Sequence, residues 1–119
     1  LLVKEDGCAV VVFGNAVEAE LAGKVARAGG TRAFSLAGET NLQQLAALIS
    51  LCRGFVANDT GPLHLAAALC VPVVGLFGSS DPAATAPRGE RVRTIYKSIP
   101  CSPCLRRICP TEELLGKDR

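Results

Sequence analysis

The sequence predicts an α/β fold in which a parallel sheet carries helices on both faces. Three observations support this: apolar runs of strand length alternate with segments of helical period, the connections between them are short, and the runs are continuous rather than alternating. A continuous apolar run suits a strand covered on both sides, and strand-helix alternation joins parallel strands through right-handed crossovers.

Cys8 to Phe13, rich in valine and closed by Gly14, reads as the first strand. From Val17 the apolar positions Val17, Leu21, Val25 and Ala28 recur at helical spacing, with Glu18, Glu20, Lys24 and Arg27 between them. That stripe is expected to cover one sheet face, and Gly29-Gly30 ends the helix. Arg32 to Leu36 forms a short second strand. Leu42, Leu45, Leu48, Ile49 and Cys52 form the apolar stripe of a second helix, with Asn41 as its N-cap and Gly54 at its end. Phe55 to Ala57 is a brief strand, Pro62 to Leu69 a helix of small residues, and Val71 to Phe77 a strongly apolar strand with Pro72 at its start. Arg91 to Tyr96 adds an edge strand, and the proline- and cysteine-rich stretch from Pro100 to Pro110 has no periodicity. The architecture is Rossmann-like, with residues 1–99 as the domain and residues 100–119 as a Cys/Pro-rich tail.

A chain of 119 residues, 49% of them hydrophobic, has enough apolar mass for one buried core. Thirteen basic residues against eleven acidic ones leave a net charge of +2, which argues against a general affinity for nucleic acid or acidic membranes. No apolar run approaches the roughly 18 residues of a membrane span. Leu1-Leu2-Val3, followed by Lys4, Glu5 and Asp6, does not resemble a signal peptide, so a soluble, cytoplasmic protein is expected. The sequence contains no methionine, even at position 1, and the chain is expected to belong to a longer protein with a partner domain.

Six cysteines divide into two groups. Cys8, Cys52 and Cys70 sit in apolar segments, where a thiol acts as a small buried hydrophobe. Cys101, Cys104 and Cys109 are clustered, but a structural zinc site needs four ligands and neither a histidine nor a fourth cysteine follows nearby. The expectation is no metal; a three-thiolate metal site and a Cys101–Cys104 disulfide are the alternatives.

Ligands of open α/β sheets bind beyond the carboxyl ends of the strands, where loops lead into helices. Asn58-Asp59-Thr60-Gly61-Pro62-Leu63-His64 occupies such a place. Thr60 can cap the helix, Gly61 lets backbone approach a ligand, and Pro62 fits a first turn that has no use for its missing N–H. Unpaired N–H groups and the positive end of the helix dipole favour an anion, and phosphate is the natural guest. Asp59 would repel phosphate, so it either orients Thr60 and the turn or accepts hydrogen bonds from sugar hydroxyls. His64, the one histidine, either donates to a phosphate oxygen or is a partly buried helix residue satisfied by backbone. An ordinary capped helix start is the competing explanation for the whole turn. A second start signal, Gly78-Ser79-Ser80-Asp81-Pro82, follows the next strand with Asp81 as its cap, so two adjacent turns are expected to line one crevice.

The run from Asn58 to Leu69, followed by Val71-Pro72-Val73-Val74-Gly75-Leu76-Phe77-Gly78-Ser79-Ser80-Asp81-Pro82, resembles the ADP-heptose:lipopolysaccharide heptosyltransferases of glycosyltransferase family nine. The similarity extends through Cys101-Ser102-Pro103-Cys104 to Cys109-Pro110, and back to Gly14-Asn15-Ala16-Val17-Glu18, which looks like that family's glycine-to-glutamate turn. The resemblance implies the C-terminal, donor-binding half of a two-domain GT-B enzyme. Asp59, Thr60, Gly61, Pro62, Leu63 and His64 would then surround the diphosphate and sugar, with Asp81 at the neighbouring turn, while Glu18 would hold ribose hydroxyls. The competing reading of Glu18 is a solvated helix-start residue placed there by the dipole.

By the same resemblance ADP-heptose is the donor, no cofactor is required, and transfer to the lipopolysaccharide core proceeds with inversion, on the cytoplasmic face of the inner membrane. The acceptor-binding domain that would carry the catalytic base, and the family's opening strand with its phosphate-contacting lysine, are not matched by this sequence. The chain alone is therefore expected to be inactive. Two rival readings stand beside this one: a stand-alone nucleotide-binding module without catalysis, and a sugar-nucleotide epimerase of related architecture.

Overall fold

The computed structural model describes residues 7–109. Among them the order is β1 (Val10–Val12), a 3-10 turn (Ala16–Glu18), α1 (Ala19–Gly29), β2 (Ala33–Ser35), α2 (Leu42–Ser50), β3 (Phe55–Asn58), α3 (Gly61–Ala68), β4 (Val73–Phe77), α4 (Pro82–Thr85) and β5 (Val92–Tyr96). Leu1 to Asp6, and the expected tail from Pro110 onward, lie outside the described residues. Every strand pairing is parallel, as strand-helix alternation requires. The pairing is divided into two sheets, β1-β2 and β3-β4-β5. The chain correspondingly forms two compact units, with the boundary between Leu45 and Ala46, inside α2.

In the first unit Val10, Val11 and Val12 pair with Ala33, Phe34 and Ser35. β1 is shorter than the apolar run Cys8 to Phe13 because β2 offers only these partners. α1 packs on both strands, but not through the stripe expected from its sequence. Its buried residues are Ala22 and Ala26, while Val17, Leu21 and Val25 are 93%, 64% and 53% exposed. Small side chains win this face because the helix lies close to the sheet: a Cβ on Gly29 would stand 2.6 Å from that of Ala33. Asn41 caps α2 as expected, with reciprocal bonds in which Gln44 N–H donates to Asn41 Oδ1 at 2.8 Å and Asn41 N–H to Gln44 Oε1 at 3.0 Å.

In the second unit β4 is central and β5 forms the expected edge. β4 begins after Pro72, which has no N–H to give and stands just before the first strand residue, while its carbonyl accepts the Phe55 N–H at 2.9 Å. Alternate β4 residues Val73, Gly75 and Phe77 are buried. α3 packs on β3 and β4 and buries Leu63 and Ala66 completely. Cys52 is part-buried and burial pushes its thiol up, in keeping with a small hydrophobe. Cys70 departs from that reading. It is exposed, with φ of 59°, because the chain must reverse sharply between α3 and β4.

Gly75 is the closest point of this packing. A Cβ there would meet Leu63 Cδ2 at 3.0 Å and Phe77 Cε2 at 2.6 Å, and both neighbours are buried, so one of them must shift to admit it. Gly75→Ala is expected to lower unfolding stability by about 1–3 kcal/mol. Urea denaturation should show a reduced midpoint with an unchanged slope; a midpoint equal to wild type would mean that α3 is not seated on Gly75.

Candidate functional site

Because β3 and β4 are parallel neighbours, with Asn58 opposite Leu76, the loops leaving their carboxyl ends emerge side by side. They enclose an open cleft of about 510 Å³ lined by Asn58, Asp59, Leu76, Phe77, Gly78, Ser79 and Ser80. Asn58 and Asp59 of the first turn and Gly78, Ser79 and Ser80 of the second thus line one cleft, while Thr60, Gly61, Pro62, Leu63 and His64 are not among its lining residues.

Asp59 is the charged residue of its lining. Its Oδ2 accepts a hydrogen bond from Thr85 Oγ1 at 2.8 Å, and its Oδ1 lies 3.5 Å from His64 Nε2. The Ser80 hydroxyl beside it, reinforced by Thr85 and His64, holds its carboxyl below the ordinary carboxylate range against the opposing effect of burial. Asp59 therefore does orient its surroundings, but the groups it ties together are Ser80, Thr85 and His64, not Thr60. His64 keeps a half-exposed ring, with the carboxylate as its neighbour in place of backbone.

Thr60 occupies the N-cap position with extended backbone, yet its side chain makes no cap. Its hydroxyl instead donates backward to the Asn58 carbonyl at 3.2 Å, which tightens the turn. Its own carbonyl accepts the Leu63 N–H at 3.1 Å, so one N–H expected to be unpaired is engaged. Pro62 sits in the first turn as expected. In front of Gly61 the space is open, since a Cβ there would meet nothing within 4 Å. Leu63 belongs to the core, not to the ligand shell: its side chain is fully buried.

Asp81 caps α4, accepting the Ala83 N–H on Oδ1 at 2.9 Å, and is not among the residues that line the cleft. In the first unit, Glu18 closes a capping box. Asn15 N–H donates to Glu18 Oε2 at 2.8 Å, and Glu18 N–H to Asn15 Oδ1 at 3.0 Å. Among the described residues no group of three or more His, Cys, Asp or Glu side chains is gathered to hold a metal, and Cys101 and Cys104 are free thiols. Nor is any described helix long and apolar enough to cross a membrane.

Sequence reasoning missed Ser80 and Thr85 as partners of Asp59. Thr85 stands 26 positions away, and its only local signal is that it falls one turn beyond Asp81, whose carbonyl lies 3.0 Å from the same hydroxyl.

A parallel α/β unit with a polar cleft at the carboxyl ends of its strands has the layout of the nucleotide- and phosphate-binding α/β domains. Comparison with known proteins narrows that class. Residues 1–115 match the model of glycosyltransferase family 9 (heptosyltransferase), and the chain belongs to this family. It is 40% identical over 95 residues to lipopolysaccharide heptosyltransferase 2 of Escherichia coli strain K12, covering 76% of this chain and 27% of that protein. It is 38% identical over 104 residues to lipopolysaccharide heptosyltransferase 1 of Pseudomonas aeruginosa, covering 85% and 29%. The solved structure of E. coli ADP-heptose lps heptosyltransferase II superposes with a TM-score of 0.72 at 39% identity, covering 76% of this chain and 29% of that one. A family 9 glycosyl transferase from Veillonella parvula also gives 0.72, at 28% identity, covering 78% and 27%. The chain thus spans less than a third of the length of these relatives.

A carboxylate whose pKa is lowered on folding stabilises the fold above the ordinary carboxylate pKa, and that contribution is lost as pH falls through the lowered value. Thr85→Ala removes one of the hydroxyl donors to Asp59, so the Asp59 pKa should rise toward its ordinary value and acid unfolding should begin at higher pH. Carbon-detected NMR titration of the Asp59 carboxyl reads this directly. An identical titration curve in the variant would show that the Thr85 bond is not made in solution.

Proposed function

We propose that the chain is the donor-binding part of an inverting heptosyltransferase that transfers heptose from ADP-heptose to the lipopolysaccharide inner core. Family membership supports the reaction class, and the name of the E. coli structural neighbour, an ADP-heptose lps heptosyltransferase, supports the donor. The observation that carries the reading is the cleft itself: a single carboxylate and neighbouring hydroxyls line it at the carboxyl ends of β3 and β4, and the space in front of Gly61, at the start of α3, is open.

In this reading the Thr60–Gly61 turn takes the diphosphate. Asp59, already ionised and held by Ser80 and Thr85, accepts hydrogen bonds from sugar hydroxyls rather than facing phosphate. His64, next to it, donates to a phosphate oxygen. Glu18 keeps its second carboxylate oxygen for ribose hydroxyls, since the capping box uses Oε2. Leu63 acts through its place in the core, and Asp81 through the cap that sets the neighbouring turn.

Displacement at the anomeric carbon would invert it. A base on the acceptor-binding domain deprotonates the acceptor hydroxyl, and the turn stabilises the departing ADP. The scheme calls for no metal or other cofactor. The lipopolysaccharide acceptor would be bound by the part of the enzyme outside this chain, at the cytoplasmic face of the inner membrane. Family membership favours this reading over the epimerase and over a stand-alone binding module.

Calorimetric titration tests it. ADP should bind more tightly than UDP or GDP. Asp59→Asn should leave ADP affinity within about twofold while weakening ADP-heptose by about tenfold, the loss expected for hydrogen bonds to a charged acceptor. Equal loss for both ligands would place Asp59 on the nucleotide instead of the sugar, and no preference among the three nucleotides would remove the basis for an ADP-linked donor.

A further inference from the structure

The residues after β5, which have no periodicity and no place in the proposed chemistry, fold back onto the wall of the cleft. Ser102 Oγ donates to the Gly78 carbonyl and is hydrogen-bonded to the Tyr96 hydroxyl at 3.1 Å. Leu105 N–H donates to the Ser79 carbonyl at 2.8 Å. The turn is closed on itself by Ser102 N–H donating to the Ile99 carbonyl at 2.9 Å. Two consecutive carbonyls of the cleft lining, those of Gly78 and Ser79, are therefore held from outside the cleft by one short segment.

This matters because of what the wall is made of. Gly78 has the widest backbone freedom of any residue type, and a Cβ there would meet nothing within 4 Å, so no packing fixes it. A peptide unit is planar and trans, so a fixed carbonyl also fixes the N–H on its opposite edge. Anchoring the Gly78 and Ser79 carbonyls thus sets the directions of the Ser79 and Ser80 N–H groups on the cleft wall that Asp59 shares.

We propose that the Ile99–Leu105 turn is a strut for the cleft, with Ser102 a positioning residue that fixes the Gly78–Ser80 wall and thereby the ligand geometry at Asp59. Tyr96, at the end of β5, buttresses Ser102 and ties the strut to the sheet. The effect on ligand rests on the donor-binding reading above; the effect on the wall does not.

The test uses Ser102→Ala and the conservative Ser102→Thr, with two readouts. Backbone relaxation by NMR on the ligand-free protein should show the Ser79 and Ser80 amides falling from order parameters of about 0.85 to below about 0.6 in Ser102→Ala and recovering in Ser102→Thr. ADP-heptose affinity should fall about tenfold in Ser102→Ala and return in Ser102→Thr, with the thermal midpoint of unfolding unchanged. Tyr96→Phe, which removes only the buttress, should shift both readouts the same way by less, and carries the test should Ser102→Ala fail to fold. Rigid Ser79 and Ser80 amides in the variants would overturn the strut. If wild-type protein bound no nucleotide sugar while those amides loosened in Ser102→Ala, the strut would stand and the donor-binding reading would fall.

Discussion

Leu63 seated against Gly75 is the contact on which the second unit depends. α3 has no amphipathic period to choose a buried side, since all its residues but His64 are apolar; the face is chosen where the sheet lets the helix come closest. Gly75 provides that place by lacking a side chain; Leu63, fully buried, and the Phe77 ring share it. Burying one leucine to this extent contributes roughly 1.5–3 kcal/mol. Its positional consequence is larger than its energy. With Leu63 fixed on β4 and Asn58 fixed opposite Leu76, the intervening Asp59 and Thr60 have little freedom left, and they are delivered to the same end of the sheet as Gly78 to Ser80.

The chemistry of the cleft follows from that delivery. A carboxylate beside the turn proposed for the diphosphate is at first sight a liability, because like charges repel. Hydroxyl donors from Ser80 and Thr85 ease the difficulty: they stabilise the ionised form and hold its orientation, while the histidine at 3.5 Å offers a cationic neighbour when protonated. Asp59 can then serve as a fixed acceptor for neutral hydroxyls next to the turn proposed to take the anion. The division of labour suits a ligand with a charged half and a hydroxyl-rich half.

The readable and unreadable parts of this molecule separate along the same physical line. Strand-helix alternation, the Asn41 cap, the Asp81 cap and Pro62 in the first turn of α3 were legible because each is a local preference of a few neighbouring residues. The stripe of α1 was misread because periodicity reports which residues are apolar, not how close the helix must lie; at close range Ala22 and Ala26 displace Val17, Leu21 and Val25 from the buried face. Thr60 has the residue type of a side-chain cap, but its hydroxyl bonds the Asn58 carbonyl instead. Asn15-x-x-Glu18 is itself a capping-box pattern, so the structural role of Glu18 was present in the sequence beside the ribose role that the resemblance implied. Thr85 on Asp59 and Ser102 on Gly78 join residues 26 and 24 positions apart through single hydroxyls, and no local pattern encodes such a meeting.

The two kinds of contact also differ in what they can withstand. The floor of the cleft is held by strand register and buried apolar packing, which unfold only with the unit as a whole. The rim is held by hydrogen bonds that are largely exposed, each exchanged against water and each worth about 0.5–1.5 kcal/mol, or somewhat more where the acceptor is the Asp59 carboxylate. Rim bonds can therefore open individually while the floor stays closed. A site built this way fixes where a ligand binds through its core, and leaves how the ligand is held to a few hydroxyls. Changes at Ser80, Thr85 or Ser102 are thus the economical route by which a chain with this fold could alter its ligand without altering its architecture.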